Sequence, residues 1–414
     1  MSVIFVKSIL AAVGILATLL IYHRKIRTPS CIGIVIVLFY TARITSLLLL
    51  HLAFRWPVPP DTEFYYNHAI WLLEGQVPNR DFSSPYGFLF TYLLAVPVAI
   101  VRQPVSISIL FQSAEALGAY FIFRTLRGVV GQESAGRACV LYLVNPLVLV
   151  SLWLTGQDEC LLILVLGVAL LLIRSSRSVM SGILAALLFY LTKLFSIWTL
   201  GPMMLTRPRR AWYGAVATAV VVTGVAIGIG SNLFSVDSER SNGVDELGKL
   251  MTSGNIWYLI SFKAPHLAAS MVPAVVTLVA LGAAGASLCA LRRAMDDAVF
   301  VLYGTALFTM VFQCTYRMTF GQYVSLAVPA FLALFALRPR YSYVIPLMAV
   351  WTAFLALDHT VYYRVFRGAN DIALPAFVIF VVCQVLLVAG NWGMLGVIGL
   401  LARDARREPA QQDG

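Results

Sequence analysis

The sequence predicts an all-α protein, a polytopic transmembrane helical bundle of about 11–13 membrane segments, and three observations carry that expectation. Of 414 residues, 60% are hydrophobic and 12% charged, about half the charge of an ordinary soluble domain. Thirteen apolar runs are long enough, or nearly so, to span a hydrocarbon core that takes about 20 residues per helix. Lysine and arginine gather in alternate short connections while the acids gather in the others. No separate soluble domain fits beside these runs, so 1–402 reads as one transmembrane domain and 403–414 as a cytoplasmic tail.

The runs fall at 3–22, 31–54, 86–102, 104–126, 137–155, 160–173, 179–205, 211–234, 267–291, 297–314, 320–337, 341–357 and 374–402. The first carries only Lys7, with no preceding basic region and no small-x-small cleavage site. It therefore reads as a span and not as a signal peptide. Seven connections hold Arg24/Lys25/Arg27, Arg124/Arg127/Arg137, Arg174/Arg177, Arg207/Arg209/Arg210, Arg292/Arg293, Arg338/Arg340 and Arg403/Arg406/Arg407, which is 18 of the 30 basic residues. The positive-inside rule makes them cytoplasmic. The other side holds the outer loops 55–85, 235–266 and 358–373 and two short connections, with 12 of the 19 acids. Any carboxylate chemistry belongs there.

Strict alternation fails at two places. Run 179–205 has basic connections at both ends, and with Gly182, Gly201 and Pro202 it suits a bent or re-entrant pair of short helices whose middle is Thr192-Lys193. Runs 86–102 and 104–126, split at Gln103-Pro104, must give one net crossing, so one of them returns or lies shallow. On this topology the N-terminus is outside and the C-terminus inside. The net charge of +11 is then topogenic and calls for no nucleic acid. The six cysteines stand singly, with no CxxC pair, and make neither a disulfide framework nor a metal site.

The first large outer loop has readable local structure. After Pro59-Pro60, Asp61 is placed to cap a helix over 62–74, with Gly75 at the left-handed position that ends it. Tyr66, Ile70, Trp71 and Leu73 share one side, so the helix is expected to lie in the membrane interface with its aromatic side down. Pro78-Asn79-Arg80-Asp81-Phe82 and Pro85-Tyr86 follow.

An acid shortly after an early span, a Tyr-rich helix ending in Gly, then Pro-x-Arg-Asp-Phe before an aromatic stretch with Pro-Tyr, resembles the first outer loop of the GT-C glycosyltransferases. The likeness is greatest to the polyprenol-phosphate-mannose-dependent type. Asn145-Pro146 with Thr155-Gly156-Gln157-Asp158, Lys193 in the bent hairpin, and Ser253-Gly254-Asn255-Ile256-Trp257 extend it over residues 30–330 as an ordered pattern. Asp61 with Glu63 two residues on stands where that family has an adjacent acidic pair, and one additional span precedes the loop. The resemblance implies transfer of a sugar, mannose or another hexose or pentose, from a polyprenyl-phosphate donor to an extracytoplasmic glycan or glycolipid acceptor, with inversion, in the plasma membrane.

Such a transfer needs a base for the acceptor hydroxyl, cations for the departing phosphate and groups to hold the sugar. Asp61 suits the base, although capping alone would explain it, and Glu63 is a secondary binding candidate or a helix-dipole charge. Arg80 and Asp81 are sugar contacts or a local ion pair of a solvated loop. Asp158 has few structural excuses at the outer end of a span and is a candidate for acceptor or sugar binding, together with Gln157. Lys193, intramembrane, contacts the carrier phosphate or pairs with Glu115, the one acid deep in a span. Arg43 and Arg102 lie nearer span ends and are expected to snorkel. Arg317 sits in an outer connection against the charge trend and is a bidentate phosphate candidate, while Asn255, Gln322 and Arg364 complete the binding set. Asp61, Asp158 and Arg317 are expected to line one cavity.

There is no Gly-rich phosphate loop and no Walker pattern, which disfavours a nucleotide-sugar donor or ATP coupling. No cofactor is called for, and a divalent metal is left open. The competing reading is a polytopic transporter or a flippase for lipid-linked sugars, which would also carry intramembrane charges and bent helices. The sequence shows no internal repeat of the kind many transporters have.

Overall fold

Each of the thirteen apolar runs folds as helix, as it must where hydrocarbon offers the backbone no other hydrogen-bond partner. The computed structural model describes residues 3–24, 31–84, 86–174, 178–233, 254–261, 263–317, 319–361 and 374–407. Its helices are α1 (Val3–Arg24), α2 (Ile32–Leu48, continued by a π turn to Ala53), α3 (Pro60–Leu73), α4 (Phe90–Ile100), α5 (Val105–Val130) and α6 (Gln132–Leu143, then π-helical Val148–Leu154). Next come α7 (Glu159–Ile173), α8 (Ser178–Leu191), α9 (Ile197–Thr206), α10 (Arg209–Gly228), α11 (Ile256–Ser261) and α12 (Pro265–Ala269). The last are α13 (Val272–Leu291), α14 (Asp297–Thr315), α15 (Ala327–Leu337), α16 (Val344–Val361) and α17 (Leu374–Arg407). No strand occurs among the described residues.

Seven of these helices are long and apolar enough to cross a membrane, or eight segments if the bent pair around Asn145-Pro146 counts as one. The chain is a multi-pass membrane protein by this measure. Six shorter apolar helices of 10–17 residues accompany them among the described residues. Helix α17 also runs to Arg407, so the first residues assigned to the tail belong to its last turns.

The chain forms two compact units, each built from separated stretches of sequence: Met1–Thr28, Arg137–Ser151 and Asn242–Gly414 in the first, Pro29–Gly136 and Leu152–Ser241 in the second. In the first unit α14 is the central helix, with 89% of its span buried, whereas α1 and α13 bury 22% and leave the rest to lipid. The two segments that meet at Asn145-Pro146 are bent by 64°, since proline cannot supply the next helical donor. Asn145 Oδ1 accepts from the Leu147 amide at 3.0 Å and restrains the bend. Helix α1 comes so near that a Cβ on Gly14 would lie 2.8 Å from the Val144 carbonyl. Arg137 donates to the carbonyls of Ile21 and Tyr22, two of the groups a helix end leaves unsatisfied.

In the second unit α5 and α7 meet backbone to backbone. A Cβ on Gly118 would stand 2.5 Å from the Ile163 carbonyl, and one on Gly167 would stand 2.6 Å from Gly118 O. Such small-residue contacts are how helices associate where water provides no drive between them. Helices α8 and α10 repeat the device at Gly182 and Gly214.

The expected hairpin is present. Helix α8 ends before Thr192-Lys193, Lys193 is extended (φ −77°, ψ 156°), and a 3₁₀ turn leads into α9. Arg207, just past α9, donates to Ile173 O at 2.8 Å and Ser181 Oγ at 3.2 Å, so 178–206 starts and finishes at the same end of the unit. Arg174 donates to Thr125 O at that end too, and the basic connections of this unit are thus gathered together. Of the two runs flanking Gln103-Pro104, α4 is the shorter helix, with 11 residues, and both of its ends meet α3. It begins with Phe90 against Tyr65 of α3 and is followed by Arg102, whose carbonyl accepts from Tyr66 of the same α3.

Candidate functional site

The site is built at the other end of the second unit, where α3 crosses the start of α7. Pro60 takes the first helical position of α3, which its fixed φ favours, so the helix starts one residue early and Asp61 lies inside its first turn. The cap position is Pro59, and no side chain caps the helix. Asp61 is therefore not the cap the sequence implied. Its partly exposed carboxylate accepts from Gln157 Nε2 at 2.8 Å. The other end matches expectation: Gly75 has φ +91°, and the amides of Gly75 and Gln76 return to Leu72 O and Trp71 O, the Schellman pattern. The face that α3 buries is Thr62, Tyr65, His68 and Ala69, while Trp71 and Leu73 are exposed. The aromatic side packed on protein is thus Tyr65's.

Gly156 fixes the crossing. Its φ is +59°, and a Cβ there would meet Thr62 Oγ1 at 2.8 Å. Only glycine meets both demands without strain. The turn it makes delivers Gln157 to Asp61 and Asp158 beneath Tyr65. Asp158 is 1% exposed and accepts from Tyr65 Oη at 2.7 Å, and the Tyr65 and Tyr86 hydroxyls lie 2.8 Å apart. Burial first, and the Asp158 charge second, push the Tyr65 phenol well above its ordinary value, so it stays a neutral donor.

Lys193, at the tip of the hairpin, lies 2.7 Å from Asp158 Oδ1 and 2.7 Å from Glu159 Oε1, and 5.5 Å from the Tyr86 ring centroid. The sequence expectation of a Lys193–Glu115 pair is corrected here. Glu115 is held by Arg43 through two contacts of 3.1 and 3.3 Å, with Cys160 Sγ donating to it at 3.4 Å. Arg43 is 3% exposed and stacked 4.8 Å from the Tyr40 ring centroid, so it does not snorkel, whereas Arg102 is exposed. One ammonium is thus shared between the Asp158 and Glu159 carboxyls. The buried Glu159 Oε2 has no hydrogen-bond partner. Desolvation on this scale is tolerated only where the charges face one another.

The other candidates of the second unit are Glu63, Arg80 and Asp81. Glu63 is exposed on α3. Arg80 and Asp81 pair at 2.7 Å on the surface, with Arg80 also donating to Ile229 O and Asp81 accepting from the Val77 amide. The local ion pair is what this geometry displays. Asn255, Arg317 and Gln322 belong to the first unit. There Asn255, 1% exposed, donates to the carbonyls of Tyr316 and Arg317 and accepts from the Trp257 amide, while Arg317 donates to Ser270 O. Asn255 thereby anchors the turn that carries Arg317. Gln322 lies in a 3₁₀ turn, half-buried, and Arg364 lies outside the described residues. Of the expected trio, Asp61 and Asp158 come together in the second unit.

Two members of the cluster carry weight the sequence reading did not give them. Tyr65 follows Asp61 by four residues, the spacing that puts two side chains on one helix face, and Glu159 is an acid abutting a leucine run. Among the described residues no three His, Cys, Asp or Glu side chains converge as a metal site. No family model, no characterised protein and no solved structure matches the chain. What the fold defines is the class: a multi-pass helical membrane protein with a buried ionic cluster beside a partly exposed carboxylate.

Proposed function

We propose that the chain is an inverting GT-C-type glycosyltransferase of the plasma membrane. It moves a mannose or another hexose or pentose from polyprenyl phosphate to a glycan or glycolipid acceptor on the extracytoplasmic side. The observation that carries the reading is the Asp61 carboxylate, half-buried in the first turn of α3 and oriented by Gln157 beside the Asp158–Glu159–Lys193 group. Asp61 takes the proton of the acceptor hydroxyl as that oxygen attacks the anomeric carbon, the bond to the carrier phosphate breaks, and the configuration inverts. Asp158 and Glu159, the neighbouring carboxyls, are engaged by Lys193, which favours direct displacement over a covalent glycosyl intermediate. In this reading Lys193 and Tyr65 are positioning residues that fix the turn bearing Gln157. Arg317 keeps its assignment as donor-phosphate ligand on residue type alone.

The test uses purified protein, a polyprenyl-phosphate-linked sugar and a glycan acceptor. Asp61→Asn preserves the Gln157 hydrogen bond, because an amide oxygen accepts as well, and removes the base. Turnover is expected to fall about 10²- to 10⁴-fold with the protein still folded. Near wild-type turnover in the variant would reject the role of Asp61. Translocation of a lipid-linked sugar by the wild type, with no new glycosidic bond, would instead place the chain with flippases.

A further inference from the structure

We propose that the first unit holds one anionic phospholipid at the end of the bundle opposite in charge to the acid-rich connections. A cavity of about 130 Å³ lies there between the start of α14 and the last turns of α15 and α17. Its walls are Met295, Val299, Leu334, Leu337, Leu401 and Ala405, with the Tyr303 ring, and Arg338 stands in its lining. An apolar cavity of about that volume takes up an apolar group of benzene size, hence a short length of acyl chain.

The charge around this cavity is mainly positive. Arg292, Arg293, Arg338, Arg340, Arg403 and Arg406 face three acids in the same loops, Asp296, Asp297 and Asp404. Each acid already has a partner. Asp404 is held by Arg340 and the Tyr341 hydroxyl, Asp297 is held by Arg292 at 2.6 Å, and Asp296 caps α14 by accepting from the Ala298 amide. The three acids therefore leave a positive surplus. Arg406 acts electrostatically on the Tyr303 hydroxyl, and Arg293, Arg403 and Arg406 are exposed.

An apolar slot with a guanidinium in its lining and a basic surround matches one chemistry, a phosphodiester with a hydrocarbon chain attached. Free phosphate would use the arginines and leave the slot empty. A zwitterionic lipid would use the slot and gain nothing from the surplus charge. The positive-inside rule needs the arginines but has no use for the cavity.

The experiment reconstitutes the full chain in phosphatidylcholine nanodiscs containing a minority of phosphatidylglycerol, then quantifies by mass spectrometry the lipid that stays bound after mild detergent extraction. Phosphatidylglycerol is expected to be enriched over phosphatidylcholine. Arg338→Gln with Arg406→Gln should cut that enrichment about fivefold per arginine, Ala405→Leu, which fills the slot and keeps every charge, should also cut it, and excess inorganic phosphate should leave it unchanged. Thermal unfolding of each variant reports whether the bundle is intact, and the comparison uses variants that unfold like the wild type. No enrichment in the wild type overturns the proposal. So does a loss confined to the arginine variant with Ala405→Leu unaffected, which would mean a diffuse basic surface, and so does displacement of the lipid by phosphate alone.

Discussion

Lys193→Met should be among the most damaging single changes in the protein. The ammonium contacts two carboxylates at 2.7 Å each while being 14% exposed, and Asp158 and Glu159 are 1% and 0% exposed. Removing one partner of a buried ion pair costs about 3–5 kcal/mol, because the other charge stays buried without compensation. The small exposure of Lys193 lets some water reach the gap, which argues for the lower part of that range. Combining Lys193→Met with Asp158→Asn and Glu159→Gln removes all three charges together, and an asparagine at position 158 can still accept from Tyr65. The triple variant should therefore be more stable than Lys193→Met alone, a coupling far beyond additivity. Equilibrium unfolding in mixed micelles measures both. If Lys193→Met is as stable as the wild type, or if the triple change does not rescue it, the ionic cluster does not hold the hairpin to α7.

Three further outcomes follow from the fold. Gly182→Val should cost about 1–3 kcal/mol, because a Cβ at 182 would fall 1.7 Å from the Ala211 carbonyl; unchanged unfolding would show that α8 and α10 are not packed there. Single cysteines at 178 and 208 should be labelled from the same face of the membrane and one at 79 from the opposite face; labelling of 178 and 208 from different faces would turn the hairpin into a crossing. The Arg80 guanidinium and the Val77 amide, both donating to Asp81, hold its carboxyl below the ordinary 3.8. That contribution is present above the ordinary value and lost as pH falls through the lowered one, so protection of the Val77 amide relative to an Asp81→Asn variant should vanish in acid, and a difference that persists there would refute the link.

Much of the membrane architecture was legible because the physics that sets it is local. An apolar run must satisfy its own backbone, so 3–22 or 297–314 could be little else than helix, and basic residues on both flanks of 179–205 already required the chain to turn back. What stayed hidden depended on register in three dimensions. Glu115 is the one acid deep in a span, which made it the natural mate for Lys193. Yet Arg43 takes it, while the hairpin tip reaches the acids at the start of α7. Asp61 resembled a cap because an acid after Pro-Pro and before a helix usually is one. Pro60 joined the helix instead and freed the carboxylate to meet Gln157. Tyr65 was readable as the residue four after Asp61, and nothing in sequence revealed that its hydroxyl would lie on Asp158.

The hairpin also imposes an order on biosynthesis. The chain emerges from its N-terminus, so the carboxylates at the head of α7 are laid down before the lysine that neutralises them. A hairpin carrying an ammonium at its tip into hydrocarbon alone would bear about 2.5–3.5 kcal/mol against it. Once α7 is seated, the same ammonium moves toward two waiting carboxyl groups, and insertion that was uphill becomes docking. A chain rearranged so that 178–206 was synthesised ahead of 159–173 would contain every residue of the finished cluster and would have to insert its lysine with no acid in place to receive it.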